Sequence, residues 1–150
     1  MEIKEISELE NKSYWISKIK EADWRAAKFL VQLLESGNFY DHCGSTSKLF
    51  LLINNLDLIS LGTYPEKDEI PETNLNPWIG FVYTFPQFRG KRRIGILIDH
   101  IYHLAKNEGF KNIYISTDQS GLYENFGFTF KEKLKDRWDG ETLVYKRPIY

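Results

Sequence analysis

The chain has 150 residues, 42% of them hydrophobic and 15% aromatic, which suits one buried core and excludes a disordered composition. Lys and Arg number 20 against 21 Asp and Glu, the formal charge is −1 and the pI about 6.3, so any basic function is local rather than general polyanion binding. The single cysteine, Cys43, excludes an internal disulfide framework and Cys-rich zinc sites.

The opening Met1-Glu2-Ile3-Lys4-Glu5 is too charged for a signal peptide, and no apolar run reaches the roughly 18 residues of a membrane span. One domain over residues 1–150 in a reducing, cytoplasmic compartment is expected. Residues 1–7 read as a short strand. From about Asn11 to Ser36 the pattern is helical: Ala26, Phe29, Leu30, Leu33 and Leu34 share one face, and Gly37 stops it. Trp15 and Ile19 mark an earlier helical turn or a separate short helix before Asp23.

The period then changes. LFLLI (49–53) and LDLISLG (56–62) read as strands joined by Asn54-Asn55, residues that tolerate a tight turn. Pro65, Pro71 and Pro77, with Glu66, Asp68, Glu69 and Glu72 between them, predict an exposed acidic loop. WIGFVYT (78–84) is a mostly apolar, hence central, strand, and Pro86 ends its pairing. Ile94, Leu97, Ile98, Ile101, Leu104 and Ala105 form the stripe of a helix that Gly109 stops. NIYIST (112–117) is a strand, and 121–127 is a short helix capped by Gly127. GFTFKEK (127–133) and TLVYKR (142–147) alternate around the turn pair Asp139-Gly140. A strand–helix–strand unit over 78–117 implies a parallel pair, and the hairpins imply antiparallel ones. The expectation is a single-domain α/β fold with a mixed sheet of about seven strands and helices on both faces.

Chemistry concentrates in FPQFRGKRRIG (85–95), between a strand end and a helix start. Backbone N–H groups are unpaired at such a place, the helix dipole adds about half a positive charge, and glycine allows close approach. Arg89, Lys91, Arg92 and Arg93 oppose that dipole, which makes most sense if an anion arrives. Neither a P-loop nor a GxGxxG fingerprint is present.

Gln87-Phe88-Arg89-Gly90-Lys91-Arg92 resembles motif A of the GNAT superfamily of N-acetyltransferases, Gln/Arg-x-x-Gly-x-Gly/Ala. Arg92 stands at the third fixed position, and Ile94 stands where a further glycine is common. Gly121-Leu122-Tyr123-Glu124-Asn125-Phe126-Gly127-Phe128 resembles motif B, Leu-Tyr-x-x-x-Gly-Phe. TNLNPWIGFVYTFPQFRGKR and STDQSGLYENFGFTF are similar to segments of small, uncharacterised bacterial GNAT proteins. The likeness covers about residues 48–148, and the first 47 match mainly in pattern.

The resemblance implies acetyl-CoA as co-substrate, its pantetheine arm in a V-shaped split between strands 78–84 and 112–117. Peptide groups of Val82, Tyr83 and Thr84 would pair with that arm, and Arg89, Gly90, Lys91, Arg92, Arg93, Ile94 and Gly95 would wrap the pyrophosphate through backbone N–H groups. Arg92 must then point its side chain away from the phosphate or pair with it. The implied reaction is direct attack of an amine on the thioester, with a backbone N–H near Tyr83 or Thr84 holding the developing oxyanion and Tyr123 as general acid. Asp118, Asp68, Glu69 or a water is the base; Asp118 is equally placed to cap the short helix, and Gln119 stands near the position where relatives carry an asparagine.

His42, His100 and His103 make no metal pattern, and His100 with His103 read as an exposed pair. Cys43 has only His42 beside it. Trp15, Trp24, Trp78 and Trp138 read as core or groove walls, with Trp24 and Tyr14 bordering the acceptor site by family analogy. The acidic loop would favour a cationic acceptor if it overhangs that site; solvation is the simpler reading. The acceptor is a small-molecule or peptide amine. No metal, nucleic-acid or membrane partner is expected, and a homodimer is left open. The alternative is a non-catalytic acyl-CoA-binding regulatory module on the same fold.

Overall fold

The computed structural model describes residues 1–67, 69, 70 and 73–150. In chain order it contains β1 (Glu2–Glu5), α1 (Lys12–Lys20), α2 (Arg25–Ser36), α3 (Phe39–Cys43), β2 (Lys48–Asn54), β3 (Asp57–Tyr64) and β4 (Trp78–Thr84). There follow α4 (Ile94–Asn107), β5 (Asn112–Thr117), β6 (Thr129–Lys135) and β7 (Glu141–Pro148), with 3-10 turns at Ile6–Glu8, Pro86–Phe88 and Tyr123–Phe126. The seven strands form one sheet in the order β1-β2-β3-β4-β5-β7-β6. Only β4 and β5 run parallel; every other neighbouring pair is antiparallel.

Alternation along β2 shows why both faces are covered. Leu49, Leu51 and Ile53 turn to one face and meet Ile19, Ala27 and Leu30 of α1 and α2. Phe50 and Leu52 turn to the other and meet Leu97, Ile98 and Ile101 of α4. A third cluster, Ile70, Trp78, Tyr114 and Val144, lies between the 65–77 connection and the sheet.

Of the two readings of the first helical region, the separate short helix marked by Trp15 and Ile19 is the one present: α1 ends before a break at Glu21–Trp24, where Trp24 takes an extended φ of −152° and stacks its ring on Tyr83 of β4. Other boundaries differ from the sequence pattern. Helix α3 was not legible: five residues carry too few turns to show a period. The last hairpin does not turn on Asp139-Gly140 alone. Asp136 organises a longer loop, its N–H donating to Gly140 O at 2.9 Å and its Oδ1 accepting from the N–H groups of Trp138 and Gly140 at 2.8 and 2.9 Å. His100 is half-buried rather than exposed, its ring edge-on to Phe50 at 4.8 Å, whereas His103 is exposed.

The feature that positions the site is where β4 and β5 stop pairing. Their register contains only Trp78 opposite Tyr114 and Ile79 opposite Ile115. Beyond Ile79 the two parallel strands diverge, giving the expected V. On its other edge β4 carries a bulge: Leu61 faces Tyr83 but Thr63 faces Gly80, so β4 has one residue more than β3 over this span. Phe81 absorbs it with φ of +48°. A bulge bends its strand and sharpens the local twist, and this one begins where pairing to β5 ends.

Candidate active site

The open edge of β4 follows from strand alternation. Phe85 donates its N–H to Ile59 O of β3 at 3.0 Å. Thr84, opposite Ser60, is therefore a non-hydrogen-bonded pair position, and its N–H and C=O turn away from β3 toward the V. The close side chains of such a pair meet directly, Ser60 Oγ lying 2.9 Å from Thr84 Oγ1. Val82 sits in the bulge against the α4 side of the core, and Tyr83 faces α2.

The 89–95 turn is an amide cradle. Gly90 and Arg92 take φ of +89° and +55°, which turns successive peptide groups the same way. Among the described residues, the N–H groups of Gly90, Lys91, Arg92, Arg93 and Ile94 have no acceptor; pairing resumes with Gly95 N–H to Arg92 O and Ile96 N–H to Arg93 O. These open donors precede a 14-residue helix whose dipole points positive end toward them. An anion fits such a place by geometry and charge.

The cationic side chains are mostly committed elsewhere. Arg89 donates from Nε to Thr84 O at 2.8 Å and lies 5.2 Å over the Tyr83 ring. Arg93 lies over Phe88 at 5.6 Å. Arg92 points away from the cradle, donating from Nη2 to Asn125 O at 2.7 Å with its guanidinium 5.2 Å from the Phe126 ring. Lys91 is exposed and makes no ion pair among the described residues. Gly95 has a structural reason of its own: a Cβ there would lie 2.9 Å from Phe126 Cε1.

Tyr123 opens the 3-10 turn beyond β5 and is only 6% exposed, packed with the α4 cluster of Ile94, Leu97 and Phe128. Burial, with the Asp118 charge adding to it, pushes its phenol up to about 12. Asp118 is exposed just past the end of β5. It does not cap the turn: Leu122 is the N-cap, without a side-chain bond, and the Glu124 carboxylate accepts the Gly121 N–H at 3.1 and 3.2 Å. Gln119 is exposed, its N–H donating to Thr117 Oγ1 at 3.0 Å.

The two described carboxylates of the acidic loop, Glu66 and Glu69, are both engaged. Glu69 is half-buried and bridges His42 Nε2 at 2.6 Å and Arg137 Nε at 2.7 Å, which ties α3 to the β6–β7 loop. Glu66 turns to the opposite end of the sheet and accepts from the N–H and hydroxyl of Thr46. There it helps line a polar cavity of about 520 Å³ with Glu5, Lys48, Tyr64 and Glu108. Asp68 and Glu72 lie outside the described residues. Tyr14 is held to the β2–β3 turn through Leu56 O at 2.6 Å. Phe29 of α2 gathers His42 at 5.0 Å, Trp138 at 5.7 Å and Phe81 at 6.3 Å, an aromatic contact between α2 and the sheet that the sequence did not signal. Cys43 is buried in the α1–α2 core. Among the described residues, no group of three or more His, Cys, Asp and Glu is placed to hold a metal ion, and no helix is long and apolar enough to cross a membrane.

Comparison with known proteins agrees with this geometry. The chain has the fold of a GNAT-family protein from Desulfovibrio desulfuricans, with TM-score 0.72, 12% identity and 99% of each chain covered. A GNAT acetyltransferase from Elizabethkingia anophelis with acetyl-CoA bound aligns with TM-score 0.59 and 18% identity, over 77% of this chain and 86% of that one. The aminoglycoside 6'-N-acetyltransferase of Enterococcus faecium aligns with TM-score 0.65 and 13% identity, over 100% and 98%. No curated protein matches the sequence. The family model described as "Acetyltransferase (GNAT) family" matches residues 16–128, and the chain belongs to that family of acetyl-CoA-dependent acetyltransferases.

Proposed function

We propose that this protein is an N-acetyltransferase that passes the acetyl group of acetyl-CoA directly to a primary amine of a small molecule or peptide, with Tyr123 as general acid. The observation that carries the reading is the run of open amides from Gly90 to Ile94 beside the β4–β5 split, with a buried phenol just beyond β5. Acetyl-CoA supplies the activated acyl group as a thioester. The amides of residues 90–94 hold its diphosphate, aided by the α4 dipole and by Lys91. The edge of β4 from Val82 to Thr84 pairs with the pantetheine arm as another strand would. The Thr84 N–H, turned from β3, donates to the carbonyl oxygen as charge develops there.

Asp118, exposed and close enough to act on Tyr123 electrostatically, takes the proton of the attacking amine, directly or through water. Tyr123 stays protonated at physiological pH and donates to the departing thiolate. Its burial makes it a weak acid in water's terms, but a thiolate expelled into the same apolar pocket is raised in pKa by the same desolvation, which narrows the gap.

The test is thermal shift with CoA, acetyl-CoA and ATP, followed by thiol release from acetyl-CoA across an amine panel. Both CoA species should stabilise the protein, by about 2.7 kcal/mol at a hundredfold excess over Kd. No stabilisation by either at millimolar concentration sinks the reading. Stabilisation without thiol release for any amine supports the acyl-CoA-binding module instead.

A further inference from the structure

We propose that Arg92 is a positioning residue: it ties the amide cradle at the head of α4 to the 3-10 turn that carries Tyr123, so that occupation of the cradle and placement of the phenol are coupled. The inference rests on the reading of the cradle as the diphosphate site.

Arg92 stands in a left-handed conformation, φ +55°, that glycine adopts easily and an arginine adopts at a cost. Its contacts set it apart from the other cations of the loop. Arg89 folds back on Thr84, and Arg93 covers Phe88, so both stay within their own segment. Arg92 alone reaches across to the turn 33 residues later, where Asn125 O accepts from Nη2 at 2.7 Å. This carbonyl lies in the turn Tyr123–Phe126. The guanidinium also lies over Phe126, and Phe126 packs where Gly95 has no Cβ. The head of α4 therefore holds the turn at two adjacent points, one polar and one apolar.

The turn is only four residues long and internally bonded, Asn125 N–H to Leu122 O and Phe128 N–H to Tyr123 O, both at 3.3 Å. Displacing Asn125 therefore displaces Tyr123. Because Nη2 is committed to Asn125, the anion is left to the backbone amides, and the peptide groups flanking Arg92 are among them. An anion that orders these amides orders the root of the Arg92 side chain, and with it the turn.

Hydrogen exchange on the whole chain, with and without CoA, tests the coupling without needing the amine. The variants are Arg92→Gly, which suits the left-handed backbone and so spares the loop, and Arg92→Lys. In the wild type, CoA should slow exchange both at 88–95 and at 121–128. In Arg92→Gly at saturating CoA, exchange at 88–95 should still slow, while slowing at 121–128 falls on the order of tenfold, the worth of one charge-assisted hydrogen bond. Arg92→Lys should recover part of it. The coupling is overturned if Arg92→Gly keeps wild-type slowing at 121–128, or if it loses CoA binding tenfold or more with that slowing intact at saturation. Absence of slowing at 88–95 in the wild type removes the diphosphate reading and the coupling with it. Tyr123→Phe, run in parallel, reports only on the phenol: it should leave the exchange pattern in place, so an unchanged turnover would remove the general acid and leave the coupling standing.

Discussion

In the proposed mechanism, Tyr123 and Asp118 divide the proton work by environment. One is buried and held protonated, the other exposed at a strand end. Tyr123→Phe should lower kcat by about a hundredfold or more, the usual worth of a positioned acid, with Kd for CoA nearly unchanged. Thiol-release kinetics beside calorimetric titration with CoA separate the two; equal turnover would remove Tyr123 from the mechanism. Because the phenol titrates near 12, it should impose no alkaline limb on the rate below about pH 10. A second residue-scale prediction concerns stability. Thr63 is fully buried on β3, and its Oγ1 has no hydrogen-bond partner among the described residues. Valine keeps the shape and removes the unsatisfied hydroxyl, so Thr63→Val should stabilise by about 1 kcal/mol in denaturant unfolding. A loss of stability would mean that the hydroxyl is satisfied in solution.

Among elements, the joint between α4 and the 3-10 turn is the most constrained. Gly95→Ala puts a methyl carbon 2.9 Å from the Phe126 ring, closer than packed carbons lie. The ring must move or the turn must lift, at about 1–3 kcal/mol for an overpacked contact. Chemical denaturation should show the loss, and exchange at 121–128 should quicken without CoA. Unaltered values for both would place the turn elsewhere. The two elements of this joint were legible to different degrees. The α4 stripe of Ile94, Leu97, Ile98 and Ile101 is a strong helical period, and Gly127 marks the end of the turn with φ +87°. The side of the cradle on which Arg92 would lie was not legible, because its partner is remote in sequence.

For the whole molecule, α4 closes one face of the sheet, and His100 contributes where it meets Phe50. Burial lowers its pKa, with the charge of His103 adding to this and Glu8 opposing it. A histidine with a lowered folded pKa binds fewer protons folded than unfolded. Stability is thus complete above about pH 6.5, the unfolded value, and is lost as pH falls toward the folded one. The melting temperature should drop as pH falls below about 6.5, and His100→Asn should flatten that drop. An identical slope in the variant would assign the loss to other groups.

What the sequence determined by itself was local or periodic: strand 78–84, the basic turn, the α4 stripe, and the Gly121–Phe128 segment that resembles motif B. These follow from hydrophobic spacing and turn chemistry within a few residues, so no partner is needed to read them. The tertiary structure decided the rest. The bulge at Phe81, the end of β4–β5 pairing after Ile79, the burial of Tyr123 and the bridge of Glu69 between His42 and Arg137 all depend on which distant strand or loop lies alongside. Glu69 makes the point most clearly. In the sequence it is one acid in a proline-rich loop; in the fold, an imidazole 27 positions before it and a guanidinium 68 after it arrive at its oxygens, and a charge that alone would stay in water becomes a half-buried tie.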